Sequence, residues 1–265
     1  MQDKEQVAQG HIHPISRAIF DIRTIFAELG FAVAVGPEME DEWHNFDALN
    51  IPKDHPARDM QDTFWLKNAE QTQNNAERTP KNTHENFPHQ SASIPRSSAL
   101  LRTHTSPVQI RYMEKKLEAG IQPPYRIIVP GKVFRNEATD ATHEAQFFQV
   151  EGLYVDKNVS MAHLKGVLEF FFKKFFGNDV VIRFRPSFFA FTEPSVEVDM
   201  KFKGKWLEMM GAGLVHPNVL KAAGVPEGFS GFAFGGGIDR MVMVKYGITD
   251  IRLLYSGDLR LVNQF

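Results

Sequence analysis

A succession of strand-like runs, joined by short polar links, restricts the fold of this chain more than any other feature. Residues 125–135 and 144–155 are rich in apolar and β-branched side chains and flank the polar link 138–143. Strands joined by so short a link form an antiparallel hairpin. Three further runs alternate apolar and polar residues, at 180–185, 196–202 and 205–210. The pattern predicts an α+β fold with an antiparallel sheet flanked by helices, and a tight turn at Lys203-Gly204.

Helical patterns precede and separate these runs. Apolar residues recur at helical spacing after Pro14, and Gly30 is suited to end that helix. The pair Ser106-Pro107 is typical of a helix start. The predicted helices cover residues 14–29, 107–118, 160–176 and 238–246. Phe residues cluster in the third helix, which predicts an aromatic core.

The length of 265 residues allows a substantial core, and we expect residues 1–265 to form a single domain. Within it, residues 67–96 consist mainly of Asn, Gln, Thr, Ser, Pro and His with almost no apolar residue. Such a composition predicts a flexible surface insertion instead of a domain boundary.

Charge and cysteine content exclude several classes of function. Lys and Arg total 30 against 32 for Asp and Glu, so any contact with nucleic acid is local or supplied by another chain. The absence of cysteine excludes disulfides, thiolate metal sites and a cysteine nucleophile. No signal peptide and no run of about 18 apolar residues is visible. We therefore expect a cytoplasmic protein without membrane contact.

The first candidate site lies around the hairpin link. Residues two apart on a strand share a face, so Arg135 and Glu137 point the same way, as do Phe147, Gln149 and Glu151. This patch offers a cation, two carboxylates, an amide and an aromatic ring. An ordinary exposed sheet face has the same spacing, so the pattern alone leaves both interpretations open.

The second candidate site is the glycine run at residues 235–237, which leads directly into a predicted helix. Glycines allow the backbone to approach a phosphate, and a helix N-terminus favours an anion. Arg240, in the first turn, could bind a terminal phosphate. A plain structural turn is the alternative interpretation and the more frequent one. Neither a Walker loop nor a dinucleotide fingerprint is present.

Together these segments lead to a family. Residues 30–38, 134–151 and 235–240 resemble motifs one, two and three of the class II aminoacyl-tRNA synthetases, in the right order and spacing. A closer resemblance is to the alpha chain of bacterial-type phenylalanyl-tRNA synthetases. It is carried by residues 46–59 (FDALNIPKDHPARD), 101–109 (LRTHTSPVQ) and 211–220 (GAGLVHPNVL). The similarity extends from about residue 11 to the end, apart from the insertion.

The resemblance implies a class II synthetase-like sheet and a ligase that activates L-phenylalanine with ATP and Mg²⁺ and transfers it to tRNA(Phe). It also implies a beta subunit in an alpha-two beta-two assembly, with the elements around motif one at the interface. The long N-terminal coiled-coil arm of the family is missing from this sequence, so tRNA binding is expected to depend on partners. The alternative is a synthetase-like binding subunit without independent catalysis.

The resemblance further implies a set of nucleotide-binding residues. Arg135 would bridge the α-phosphate and the amino-acid carboxylate, and Arg240 would lie against adenine and the γ-phosphate; these two are the expected catalytic residues. Glu137 would read the adenine amino group, Phe147 would stack on adenine, and His143 would contact the outer phosphates. The complete expected ATP-binding set is Arg135, Glu137, His143, Phe147, Gly237 and Arg240.

A second implied set surrounds the amino acid. The residues expected around the substrate ammonium are His104, Ser106, Gln149 and Glu151. Trp65 is expected near the substrate carboxylate, and Phe189 and Phe191 are expected to meet the substrate ring edge to face. Ala233 is expected at the floor of the ring pocket. The complete expected set is Trp65, His104, Ser106, Gln149, Glu151, Phe189, Phe191 and Ala233.

Some assignments stay open at the sequence level. Glu193 and Glu208 are candidate Mg²⁺ ligands among several acidic residues of the later strands. Asp239 stands where the family commonly has Glu; its reach is shorter, so its partner is an open question. His11 and His13 are interpreted as surface or helix-cap residues, not as a metal pair.

Overall fold

The computed structural model describes residues 10–58, 62–66 and 99–265. The predicted insertion at 67–96 lies outside the described residues. The described strands are β1 (Ala32–Val33), β2 (Met39–Asp41), β3 (Ala99–Leu101), β4 (Tyr125–Phe134), β5 (Gln146–Asp156), β6 (Val181–Phe189), β7 (Thr192–Phe202), β8 (Lys205–Val215) and β9 (Ser230–Gly237).

Seven of these strands form one sheet in the order β1-β4-β5-β9-β8-β7-β6. Every neighbouring pair is antiparallel except β1 and β4, which are parallel. The predicted hairpin is confirmed: β4 and β5 pair from Tyr125 opposite Val155 to Phe134 opposite Gln146. The tight turn between β7 and β8 is also confirmed, with φ of 47° at Lys203 and 79° at Gly204.

All four predicted helices are present. The helices of the described residues are α1 (Pro14–Glu28), α2 (Glu42–Asn45), α3 (Pro107–Glu118), α4 (Met161–Phe176), α5 (Pro217–Ala222), α6 (Ile238–Tyr246) and α7 (Leu259–Val262). The ring of His13 accepts a hydrogen bond from the backbone N–H of Ile15, which confirms a helix-cap role. Within the residues described, no helix combines the length and apolarity required to cross a membrane.

Helices α1, α4 and α6 cover one face of the sheet and form the aromatic core. The ring of Phe26 stacks on Phe171 at 5.0 Å and on Phe234 at 5.3 Å between centroids. Helix α3 belongs to a second apolar cluster on the opposite face. Because side chains alternate along a strand, Ile128 belongs to the first cluster, whereas Ile127 and Val129 belong to the second. Glu151, two residues before Leu153 of the second cluster, lies on the α3 face.

Small residues in neighbouring strands let larger side chains lie close to this face of the sheet. Glu151 on β5 lies opposite Gly235 on β9, which lies opposite Gly211 on β8. In the next row, Ala233 lies opposite Gly213. Residues directly opposite each other in an antiparallel sheet share a face. The glycines of β8 and β9 therefore make room for the Phe189 ring and the Glu151 side chain directly above the sheet.

Candidate active site

Two cavities lie next to each other at the sheet, the first on the α3 face and the second at the strand ends beside α6. The first has a volume of about 410 Å³ and the second about 480 Å³. Arg135, immediately after β4, lines both of them. Its guanidinium carbon lies 5.2 Å from the centre of the Phe147 ring, in the second cavity. A single cation therefore stands at the boundary between two binding spaces.

Glu151 is the buried anion of the first cavity, with 5% of its surface exposed. Its carboxylate accepts hydrogen bonds from the Thr105 backbone N–H at 3.1 Å, the Ser106 hydroxyl at 2.5 Å and the Gln109 side-chain amide at 2.8 Å. Burial raises the pKa of Glu151 to about 7, although the hydrogen bonds and two nearby arginines, Arg102 and Arg135, favour the charged form. The group is thus poised to ionise near neutral pH.

Two other polar side chains of the first cavity have buried atoms without a protein partner. They are both ring nitrogens of His104 and the amide oxygen Oε1 of Gln149. Burial lowers the pKa of His104 to about 3, with Arg135 adding to the effect, so the imidazole is neutral. Buried polar atoms are nearly always hydrogen-bonded. Their position in a cavity with Glu151 fits a small polar ligand that carries donors and a positive charge.

Another wall of the first cavity carries two aromatic rings. Phe189 and Phe191 stack with their centroids 5.7 Å apart and their planes 14° from parallel. Phe189 is the last residue of β6, whereas Phe191 lies in the turn before β7. The turn, and not the alternation of side chains along one strand, brings the two rings together. Ala233 lies on the floor. This end of the cavity suits a flat apolar group.

The glycine run occupies a strand and not a phosphate-binding loop. Gly235, Gly236 and Gly237 are the last residues of β9, paired with β5. A Cβ on Gly235 would lie 2.7 Å from the Glu151 side chain, so glycine is needed there for close approach. The run leads directly into α6, as predicted, but the alternative interpretation as a plain turn is wrong because β9 extends to Gly237. Gly237 alone of the three lines the second cavity.

The second cavity brings together every residue of the expected ATP-binding set. Its described lining includes Arg135, Glu137, His143, Phe147, Gly237 and Arg240. The side chains of Arg135 and Glu137 remain 41% and 37% exposed and approach to 3.9 Å. The wall is assembled from the β4–β5 link, the end of β9 and the first turn of α6. Arg135 and Glu137 are therefore far more exposed than Glu151 in the first cavity.

The short side chain of Asp239 has two hydrogen-bond partners, the backbone of Phe148 and the hydroxyl of Tyr255. It is 1% exposed, and its carboxylate accepts from the Phe148 backbone N–H at 2.7 Å and from the Tyr255 hydroxyl. Burial raises the pKa of Asp239, while these two donors oppose that shift. Tyr255 was not expected at the site.

Trp65 is placed apart from the rest of its predicted set. It is not among the described residues that line the first cavity, whereas the other seven members are. Its indole N–H donates to the Arg58 carbonyl at 3.3 Å, and its ring packs against Phe46. A hydrogen bond to a bound carboxylate would require the indole to leave Arg58.

The two candidate magnesium ligands lie far apart. Glu193, 74% exposed, pairs with His216 at 3.4 Å. Glu208 lines the first cavity and approaches Arg185 at 3.7 Å. Thr192, beside Glu193, and Asp199, opposite Glu208, are separated by roughly 20 Å along β7 at strand spacing. One ion cannot bind both carboxylates, and only Glu208 borders a cavity of the site.

Another acidic cluster has the geometry of a metal site but is neutralised by arginine. Glu40, Asp41 and His44 are the one such group among the described residues. Arg111 donates to both Glu40 oxygens, at 2.9 and 3.1 Å from Nε, and to Asp41 at 3.3 Å. A guanidinium therefore already balances these carboxylates.

Gln109 is a site residue that sequence reasoning missed. It lines the first cavity and donates to Glu151. A signal was available: Gln109 follows Ser106 by three residues at the start of α3, so both side chains lie on the same face of the helix. The sequence could not show that this face meets β5.

Comparison with known proteins agrees with this architecture. The family described as tRNA synthetases class II core domain (F) matches residues 1–265. Proteins named phenylalanine–tRNA ligase alpha subunit are 48% identical in Dechloromonas aromatica, over 97% of this chain and 71% of that protein, and 51% identical in Proteus mirabilis, over 98% and 69%. A crystal structure of pyrrolysyl-tRNA synthetase from Desulfitobacterium hafniense has a TM-score of 0.66 at 16% identity, covering 93% of this chain and 74% of that one.

The fold and the paired cavities define a class II aminoacyl-tRNA synthetase core. At the level of identity found, the chain belongs to the family of phenylalanine–tRNA ligase alpha subunits.

Proposed function

We propose that this chain activates L-phenylalanine with ATP to form phenylalanyl-adenylate and transfers the phenylalanyl group to tRNA(Phe). The observation that carries the proposal is Arg135 at the boundary of the two cavities. One cavity has a buried carboxylate and aromatic walls, as an aromatic amino acid requires. The other has charged and aromatic walls, as a nucleotide requires. The reacting carboxylate and phosphate would therefore meet at the guanidinium.

In the activation step, a carboxylate oxygen of phenylalanine attacks the α-phosphorus of ATP. A bond forms between that oxygen and phosphorus, the bond to the bridging oxygen breaks, and pyrophosphate leaves with the electron pair. No protein nucleophile takes part. Arg135 stabilises the charge that develops on the phosphoryl oxygens, and the rest of the site holds the reactants in line.

The substrate ammonium is assigned to the buried end of the first cavity. Ionised Glu151 supplies the counter-charge, held by three donors that keep its carboxylate oriented. The amide oxygen of Gln149, which has no protein partner, is a further acceptor for the ammonium. His104 and Ser106 complete this end, and neutral His104 does not repel a cation.

The phenyl ring is assigned to the aromatic end. Phe189 and Phe191 supply the faces and edges that a third ring can meet in the offset or edge geometry that aromatic quadrupoles favour. Ala233 limits the depth of the floor and so the size of the ring substituent. Such an apolar pocket excludes an added hydroxyl poorly, so tyrosine should be activated at a low rate.

The nucleotide is assigned to the second cavity. Phe147 would stack on adenine, with Glu137 accepting from its amino group. Arg240 and His143 would bind the outer phosphates, with Gly237 leaving space at the helix start.

Glu208 is the side chain we assign to Mg²⁺. It borders the site and is 59% exposed, which suits an ion that keeps several waters and binds only one or two carboxylates. When bound, Mg²⁺ neutralises phosphate charge and orients the leaving pyrophosphate. Glu193 does not fit this role because it lies at the far end of β7, paired with His216.

The proposal includes the subunit composition and the cellular location of a phenylalanine–tRNA ligase. Residues 1–265 would form one catalytic domain, carrying 67–96 as an insertion, and would act with a beta subunit in an alpha-two beta-two assembly. Exposed apolar residues around β1 and β2, namely Val33, Val35 and Met39, support an interface there. Because its product serves translation, we place the enzyme in the cytoplasm.

The test is amino-acid-dependent ATP–pyrophosphate exchange, measured with and without a co-expressed beta chain. We expect phenylalanine to drive exchange in the two-chain enzyme. If phenylalanine drives no exchange in either preparation, the chain is a synthetase-like binding subunit and the proposed catalysis is wrong. Omission of Mg²⁺ should abolish the exchange.

A further inference from the structure

The C-terminal segment is bonded to the wall of the nucleotide cavity. After α6 the chain passes through a short 3₁₀ turn at Ile251–Leu254 and reaches Tyr255. The backbone N–H of Ile251 donates to the carbonyl of Ala141 at 2.9 Å, in the β4–β5 link that also carries His143. The hydroxyl of Tyr255 donates to Asp239 at the start of α6. Two separate bonds therefore join this segment to two walls of the cavity.

Asp239 joins the two walls to each other. The ladder between β5 and β9 ends at Gln149 opposite Gly237, and Phe148 is one residue beyond that last pair. The carboxylate of Asp239 accepts the Phe148 N–H at 2.7 Å, so it continues the ladder where strand β9 has become a helix. Phe147 precedes Phe148 and Arg240 follows Asp239, and both line the nucleotide cavity.

The Asp239 carboxylate depends on neutral donors. It is almost fully buried and takes part in none of the ion pairs found among the described residues, with His13 the one charged side chain that adds to the stabilisation of its ionised form. Its two oxygens are bonded separately, one by the Phe148 N–H and the other by the Tyr255 hydroxyl. Burial and the adjacent carboxylate raise the pKa of Tyr255, so its hydroxyl keeps the proton that it donates.

We infer that Tyr255 is a positioning residue for the nucleotide, which acts through Asp239 to fix Phe147 and Arg240 relative to each other. The inference rests on the proposed function of the second cavity. Tyr255 does not line that cavity in the described structure and touches no reacting atom. Its effect should therefore fall on ATP and not on the amino acid, because the first cavity is built from other elements.

The test compares Tyr255→Phe with Tyr154→Phe in the two-chain enzyme. Tyr154 is a matched control because its hydroxyl also donates to an aspartate, Asp156 at 2.8 Å, at the far end of β5. In pyrophosphate exchange, Tyr255→Phe should raise the KM for ATP about tenfold, the size expected for one hydrogen bond to a buried charged group. The KM for phenylalanine should not change, and Tyr154→Phe should change neither.

A double-mutant cycle identifies the route of the effect. If Tyr255 acts through Asp239, adding Tyr255→Phe to Asp239→Asn should raise the KM for ATP less than it does in the parent. If Asp239→Asn fails to fold, the comparison of the two tyrosine variants still decides. An unchanged KM for ATP in Tyr255→Phe, equal rises for both substrates, or the same rise in Tyr154→Phe would overturn the inference.

Failure of the proposed function gives a different result. In that case the parent enzyme itself shows no phenylalanine-dependent exchange. Calorimetric titration of the parent and of Tyr255→Phe with Mg·ATP then tests the positioning role directly. A weaker affinity in the variant supports it, and equal affinities contradict it.

Discussion

The two cavities differ in how their charged groups are held. In the first, Glu151 is 5% exposed and fixed by three donors from α3 and the segment before it. In the second, Arg135 and Glu137 are 41% and 37% exposed, and His143 pairs with exposed Asp140 at 3.0 Å. The small amino acid thus meets a rigid, desolvated site. The nucleotide, which brings its own charge, meets an open one built from a link and a helix end.

This contrast has a physical reason. Selection of one small substrate depends on fixed, dehydrated groups whose burial penalises a wrong ligand. A triphosphate offers many charged oxygens, so exposed side chains can bind it without a large desolvation cost. Arg135 lines both cavities, so its substitution should affect both substrates, whereas a substitution within one cavity should affect one substrate.

The largest loss of activity is expected from substitution of Arg135, which lines both cavities. Arg135→Ala should lower kcat/KM for exchange by about 10³-fold, because it removes a donor that acts on charge developing in the transition state. Arg135→Lys should recover only part of the loss, since an ammonium lacks the fork of the guanidinium. Steady-state exchange kinetics with each substrate varied in turn provide the measurement. A change confined to one substrate's KM would show that Arg135 serves one cavity only.

The next effect is a pH dependence specific to the first cavity. Burial raises the pKa of Glu151 to about 7, so its carboxylate is charged above that pH and neutral below it. An ammonium needs the charged form, so kcat/KM for phenylalanine should fall about tenfold per pH unit below the pKa of the free enzyme. His104, with a pKa of about 3, remains neutral and does not contribute.

A matched variant isolates this titration. Glu151→Gln should bind phenylalanine poorly at all pH values and lose the dependence near neutrality. The same profile measured for kcat/KM of ATP at saturating phenylalanine should be flatter. If the pH profile of kcat/KM for phenylalanine is the same in Glu151→Gln as in the parent, Glu151 does not bind the ammonium.

The size limit of the first cavity gives a third prediction. Ala233→Gly removes a methyl group from the floor and should admit para-substituted phenylalanines, with a gain of about tenfold in kcat/KM for para-chlorophenylalanine. Exchange assays with the analogue and with phenylalanine compare the two activities in the same preparation. No gain over the parent would mean that another residue limits the depth of the pocket.

The smallest effect concerns Mg²⁺. Glu208→Gln should raise the Mg²⁺ concentration needed for half-maximal exchange severalfold, because one of few protein ligands is lost. Glu193→Gln is the matched control, an exposed glutamate at the other end of the same pair of strands, and should leave the requirement unchanged. Equal behaviour of the two variants would exclude Glu208 as a ligand.

Local features of this chain were predictable and long-range contacts were not. The apolar and β-branched runs and the polar link between them predict the β4–β5 hairpin, which the structure confirms. The spacing within the second motif also predicts that Arg135, Glu137 and Phe147 lie close together, and they line one cavity. The strand that ends in the glycine run was not predicted, because it can be recognised only when its neighbours in the sheet are known. Gly235 lies between Glu151 and Gly211, which are distant in sequence.

The hydrogen bonds that stabilise the site also join residues that are distant in sequence. Gln109 reaches Glu151 across 42 residues, and Phe148 reaches Asp239 across 91. No local pattern encodes such pairs, because each depends on how α3 and α6 pack on the sheet. The family resemblance supplied residues whose proximity the chain's own periodicity could not reveal.

The central claim is that one ligand can occupy both cavities with its mixed anhydride group at Arg135. Calorimetric titration of the two-chain enzyme with a non-hydrolysable phenylalanyl-adenylate analogue tests it most directly. The analogue should bind at least about 10²-fold more tightly than phenylalanine or ATP alone, and Arg135→Ala should remove most of that gain. Affinity no greater than that of ATP, or a gain unaffected by Arg135→Ala, would contradict the claim.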